Sequence, residues 1–217
     1  MSLPEMNVNR LSRWPAILLF GMPGVGKGTQ GSMLGTMSGM LHVSTGAIFR
    51  SLDPESEDGQ EVGKYIHHGE LVPDDVTIRI WRNWLDERIG DGSYDPQREV
   101  LILDGIPRSP RQCEMLEGHI EVLGVVHLEC DDTQALIERL RGRGQGRADD
   151  TDEAIIRRRF EIYHAKTDPV LEYYAADRVH SVNPIGSLAQ VTKRILEVVI
   201  PMLREGGSAS DRIGGEG

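Results

Sequence analysis

A five-residue apolar run, AILLF at residues 16–20, passes without a break into GMPGVGKGTQ at 21–30. No other stretch narrows the possible folds as far. An apolar run of this length bounded by glycine predicts a strand buried on both faces. A glycine-rich turn leading from a strand into a helix is the context in which backbone N–H groups converge on phosphate. Gly21, Gly24, Gly26 and Gly28 leave the backbone free to turn its amides inward. The amino end of the helix adds a partial positive charge, and Lys27 reaches the terminal phosphates. The general pattern has Ser or Thr directly after the lysine; here Gly28 intervenes before Thr29, a variant form. Four glycines also make a tight strand-to-helix turn with no ligand, so the rest of the chain has to carry part of the argument.

Further short apolar runs occur at 42–44 (HVS), 100–104 (VLILD), 124–130 (GVVHLEC) and 178–182 (RVHSV). All five runs are predicted to be strands buried on both faces. Helical spacing separates them: Val76, Ile80 and Trp84 after Pro73 and Asp74, then Ile156, Phe160 and Tyr163, then Leu188, Val191, Ile195 and Val198. Alternating strands and helices with continuous apolar strands predict an α/β fold, a doubly wound five-stranded parallel sheet with helices on both faces. The 217 residues suit one domain, expected over 14–204, with unpatterned tails at 1–13 and 205–217. About 55 residues separate the second strand from the third, which predicts a small helical insert over 46–75.

The charge pattern narrows the ligand. With 34 acidic and 24 basic residues the net charge is -10, which argues against binding nucleic acid or an anionic membrane. Yet seven of the 20 arginines lie between Arg139 and Arg159, whereas the whole chain has four lysines. Guanidinium grips phosphate bidentately, so this cluster points to a small phosphorylated ligand. Its core, RLRGRGQGRADD at 139–150, is too polar to supply a hydrophobic core and predicts a short functional lid. No apolar run approaches the roughly 20 residues of a membrane span, and no signal-peptide pattern is present; a cytoplasmic chain is expected. Cys113 and Cys130 lack CxxC spacing and are expected to be inert core thiols. The seven histidines show no ligand spacing, and His42 and His127 are expected in the core of strands.

GMPGVGKGTQ resembles the phosphate loop of the adenylate kinase and nucleoside monophosphate kinase family. Five more segments follow in that family's order and spacing: HVSTGAIFR (42–50), GELVPD (69–74), DGIPRSPRQ (104–112), ERLRGRGQGRADD (138–150) and RRRFEIYH (157–164). The resemblance spans residues 16 to about 200 and is specifically to the short-lid, adenylate type. It implies phosphoryl transfer from magnesium ATP to AMP, giving two ADP, reversibly, by a monomer.

Residue by residue, the resemblance implies that Gly24, Val25, Gly26, Lys27, Gly28 and Thr29 hold the donor phosphates. Arg139 would lie on the donor adenine, with Gly186 also at the donor nucleotide. Arg50 and Arg108 would grip the acceptor phosphate, and Thr45, Glu70, Val72, Gly105 and Gln112 would meet the acceptor. Arg143, Arg147 and one arginine of 157–159 would surround the transferring group. Counting forward from Asp149 and Asp150 selects Arg158; counting back from Phe160 and Tyr163 selects Arg159, which the packing register favours. Arg157 and Arg141 read instead as members of charge pairs on a solvated helix face. Asp104, with Thr29, would meet Mg2+ through waters or phosphates, although an Asp ending a strand also caps turns. No zinc is expected, because the lid lacks the four cysteines of some relatives. Ala47 and Ile106 depart from the family's usual Asp and aromatic residue. UMP- and CMP-specific members tend to have Ala at the position of Thr45 and Asn at that of Gln112. A kinase for another monophosphate, or a weakly active nucleotide-binding module, are the alternatives.

Overall fold

The computed structural model describes residues 13–142 and 152–205. Arg143, Arg147 and most of the predicted lid lie outside the described residues. Strands β1 (Trp14–Phe20), β2 (Met40–Ser44), β3 (Val100–Asp104), β4 (Ile120–Leu128) and β5 (Val179–Val182) form one sheet in the order β2-β3-β1-β4-β5. Every neighbouring pair is parallel. The doubly wound parallel sheet expected from the alternation is therefore present, with two corrections. Only β1 and β3 are buried nearly throughout; β2 and β5 are half-buried, because they are the sheet's edges. The fourth strand begins at Ile120 and ends at Leu128, so Cys130 falls after it and is half-buried rather than core.

Side chains alternate across the sheet, and this period of two divides the core into halves. Leu18, Leu101 and Leu103 face one layer with α2 (Thr45–Ser51), α3 (Glu57–Ile66), α4 (Asp74–Gly90), α5 (Pro110–Leu116) and α8 (Asp168–Leu171). Ile17, Leu19 and Ile102 face the other, with α1 (Lys27–Leu34), α6 (Thr133–Arg141), α7 (Glu153–Ile162) and α9 (Leu188–Glu205). Leu18 is fully buried at the centre of β1. Leu18→Ala is expected to cost about 2–5 kcal/mol, read as a lower urea midpoint at unchanged slope.

The C-terminal helix departs from its predicted phase. Val191, Ile195, Val199 and Met202 form the buried stripe of α9, whereas Leu188 is 43% exposed and Val198 only partly buried. The i, i+4, i+8, i+11 stripe faces the sheet, and the chain has more apolar residues here than that stripe can bury.

All five strands point the same way, so their carboxyl ends meet on one edge. From β1 the chain crosses to β2 on one side; from β3 it crosses to β4 on the other. Between β1 and β3 lies the resulting switch point, the crevice where open α/β sheets bind ligands. Register places Leu19 beside Asp104 and Ser44 beside Asp104 at that edge.

Candidate active site

The loop after β1 wraps the amino end of α1, as its glycines predict. Gly21, Gly24 and Gly26 all have positive φ, and Gly26 caps the helix. Lys27 Nζ donates to Gly21 O (2.5 Å) and to Met22 O (3.1 Å), so the ammonium lies over its own loop. The loop also touches α6 closely: a Cβ on Gly24 would lie 2.9 Å from both Leu136 O and Leu140 Cγ. Arg139 is exposed on the last turn of that helix.

A cavity of 480 Å³ opens at the switch point. Lys27, Arg50, Arg108 and Arg159 line it and face one carboxylate, Asp104. The four cations give the site a field opposite in sign to the net charge of the chain. Asp104 ends β3 at 8% exposure, and a Cβ on Gly28 would stand 3.6 Å from its Oδ2. The carboxylate thus abuts the start of α1, with the Thr29 side of that helix lining the same cavity. Ala47 is exposed on α2 and also lines it.

A second cavity, of 90 Å³, lies beside the first and shares Arg50, Arg108 and Arg159 with it. Phe49, Ile66, Leu71 and Val72 give it apolar walls, and Thr45 and Gln112 supply polar groups. Thr45 Oγ1 donates to Gly105 O (2.9 Å), which leaves the hydroxyl only lone pairs to offer a ligand. Gly105 has no room for a side chain: a Cβ would stand 2.6 Å from Thr45 Oγ1 and 3.0 Å from Arg108 Nη2. The Gln112 amide is held at both ends. Its Oε1 accepts from Arg108 N (2.7 Å), and its Nε2 donates to Asp74 Oδ1 (2.8 Å), leaving one N–H and one lone pair. Arg108 Nε donates to Gly105 O (3.0 Å), which fixes the stem of its guanidinium.

The three consecutive arginines of α7 part company. Arg157 pairs with Glu153 on its own helix, as the i, i+4 reading expects, and Arg141 pairs with Glu153 as well. Arg158 pairs with Glu70 (2.5 Å), and Arg159 lines both cavities. A third, smaller cavity joins Lys27, Arg108 and Arg159 to Tyr163 and Thr167, which belong to a π-helical turn, Tyr163–Thr167. Thr167 Oγ1 donates to Arg108 O (3.3 Å), and Tyr163 Oη lies 3.3 Å from His127 Nε2. Burial pushes the Tyr163 phenol up, away from ionisation.

Gly186 sits in the loop after β5 at φ 134; neither it nor Arg139 lines these cavities. Sequence reasoning missed Leu71, Asp74, Tyr163 and Thr167 as site residues: the first three lie within GELVPD and RRRFEIYH, where the motif alone does not say which side chains turn to a cavity, and Thr167 lies beyond any motif, on the π-helical turn it shares with Tyr163. His42 is a correction. It is half-buried and lines the large cavity, with burial holding its imidazole below the ordinary range against the opposing pull of Asp104. His127 is likewise half-buried and lowered, chiefly by burial. Cys113 is buried, as expected, and its thiol is pushed up to about 11, which keeps it protonated and unreactive near neutrality.

The model of the adenylate kinase family matches residues 19–179, which include the phosphate loop, both cavities and α7. The chain belongs to the adenylate kinase family. It is 38% identical over 192 residues to the adenylate kinase of Flavobacterium psychrophilum, covering 84% of this chain and 97% of that protein. Over 196 residues it is 40% identical to an adenylate kinase from a Nocardioides species, covering 85% and 98%. A Synechococcus adenylate kinase is 41% identical over 186 residues, covering 82% and 95%. Family members are nucleotide kinases, and the residues here fit a nucleotide-borne Mg2+. A hard cation takes oxygen ligands and keeps several waters, and Asp104 is a buried carboxylate at the mouth of the phosphate loop. Among the described residues no three His, Cys, Asp or Glu side chains converge on one point. No described helix is long and apolar enough to cross a membrane.

Proposed function

We propose that this chain catalyses reversible phosphoryl transfer from magnesium ATP to AMP, giving two ADP. The observation that carries the reading is one cationic crevice in which Lys27, Arg50, Arg108 and Arg159 surround the junction of two cavities. Phosphoryl transfer asks little covalent work of a protein and much positioning and charge stabilisation, which such a crevice supplies. The loop from Gly24 to Thr29 receives the donor phosphates on its N–H groups, and Lys27 exchanges its loop carbonyls for phosphate oxygens. Asp104, with Thr29, would hold a nucleotide-borne Mg2+ through waters or phosphates, and that ion would supply neutralisation of phosphate charge. Arg50 and Arg108 hold the acceptor phosphate. Arg159 stands at the junction, and Arg143 and Arg147, assigned by motif, add two further cations.

The acceptor base belongs in the apolar slot walled by Phe49, Leu71 and Val72. Thr45, able only to accept, suits the amino group of adenine, and the remaining donor and acceptor of Gln112 suit its adjacent edge. Arg139, beside the Gly24 turn, and Gly186 face the donor nucleotide. The helical insert at 46–75 is the acceptor-binding part of the fold. The acidic net charge favours a monomer without nucleic-acid or anionic-membrane partners, and a cytoplasmic place is part of the same proposal.

The test is ADP formation from magnesium ATP with AMP, dAMP, CMP, UMP and GMP offered separately, beside a control without acceptor. Activity confined to AMP and dAMP with little hydrolysis in the control is expected. Preference for UMP or CMP overturns the base assignment, and folded, nucleotide-binding protein silent with every acceptor overturns the enzyme.

A further inference from the structure

The turn at residues 69–72 docks on α7 through two independent contacts. Gly69 has φ +68, and a Cβ there would lie 2.9 Å from Ile155 Cγ2 and 3.1 Å from Arg159 Cγ. One residue on, Glu70 Oε1 accepts from Arg158 Nη2 at 2.5 Å, across 88 positions of sequence. Successive helical residues lie about 100° apart. This rotation gives Arg157 to its own helix, Arg158 to the turn and Arg159 to the cavities.

The two partners are not equally anchored. α7 is held in the core by Ile156 and Phe160, whereas only Val72 of the four turn residues joins a core cluster. The same turn walls the proposed acceptor cavity through Gly69, Glu70, Leu71 and Val72, and contributes nothing to the 480 Å³ cavity. Loss of the ion pair therefore frees the turn rather than the helix. We propose that Arg158 is a positioning residue which, through Glu70, holds the acceptor turn against α7 and so sets affinity for the acceptor monophosphate, independently of the donor. This rests on the assignment of the smaller cavity to AMP.

Both side chains are partly exposed, at 54% and 37%, so the effect is modest. Arg158→Ala and Glu70→Ala are each expected to raise KM for AMP by about two- to five-fold; for Arg158→Ala, at a position that lines neither nucleotide cavity, KM for ATP, kcat and Tm stay unchanged. Arg158→Glu, which sets two carboxylates together, is expected to raise it further. The double reversal Glu70→Arg with Arg158→Glu restores the wild-type KM, and high salt narrows every difference. An unchanged KM for AMP in both alanine variants overturns the proposal, as does a double reversal that fails to restore it. A hundredfold fall in kcat for Arg158→Ala overturns it in another way, by making Arg158 catalytic. Wild-type protein that does not phosphorylate AMP removes the underlying assignment and the proposal with it, whereas failure of the ion pair alone leaves wild-type activity with AMP intact.

Discussion

Lys27→Ala is expected to lower kcat by about a hundredfold or more, the scale on which removing one preorganised transition-state contact acts. The reason lies in where the ammonium sits. Lys27 begins α1, and its Nζ rests on the carbonyls of Gly21 and Met22, within the loop that the proposed function assigns to the donor phosphates. No other lysine lines the 480 Å³ cavity, so nothing of the same shape can replace it. Its three rotatable donors let it leave the loop for phosphate oxygens and follow the transferring group, which a planar guanidinium does less well. Lys27→Arg is therefore expected to recover little. The fold is expected to tolerate either change, because the half-buried side chain belongs to neither core cluster. Steady-state kinetics at saturating ATP and AMP, beside circular dichroism, is the measurement; turnover within tenfold of wild type removes Lys27 from the mechanism.

Arg159→Ala has the second large effect, again a fall in kcat on the order of 10². Arg159 lines all three cavities, and the proposed function puts the moving phosphoryl group, over whose oxygens charge spreads, beside it. Arg159→Lys keeps the charge and loses the bidentate fork, so an intermediate rate is expected. The informative comparison is with Arg158→Ala one residue earlier, for which kcat stays near wild type. Measuring both variants with a bisubstrate dinucleotide separates binding from turnover: Arg159→Ala loses affinity for this ligand as well as rate. Equal rates in the two variants contradict the assignment of the junction to Arg159.

Much of this was legible in the chain because it depends on short-range physics. A strand buried on both faces is a continuous apolar run wherever it occurs, and AILLF and VLILD lie in β1 and β3, two of the three strands paired on both sides. The phosphate loop is a local backbone device, so its glycines and its lysine can be read in order. Edge strands were less legible. HVS and RVHSV resemble central strands in composition, and only pairing on a single side leaves them half-buried.

The site divides in the same way. Asp104 at the end of β3 and Thr45 at the start of α2 follow from element boundaries, which local sequence marks. The clamp on Gln112 does so only in part: Arg108 is four residues away, whereas Asp74 is 38 away and meets it only when α4 and α5 pack. The place of His42 does not, since its strand sits next to β3 while α1 covers it.

The sequence by itself determined the layer order of apolar and polar surfaces, the phosphate loop and the family, since each is encoded in neighbouring residues or in motifs of fixed spacing. Motif counting left Arg158 and Arg159 open with packing register favouring Arg159, and tertiary structure decided which of the RRR arginines lines the two cavities and what the other two pair with. All three are chemically identical and are separated only by rotation about the axis of α7, and that rotation is set by burying Ile156 and Phe160 while a glycine at 69 lets the acceptor turn come close.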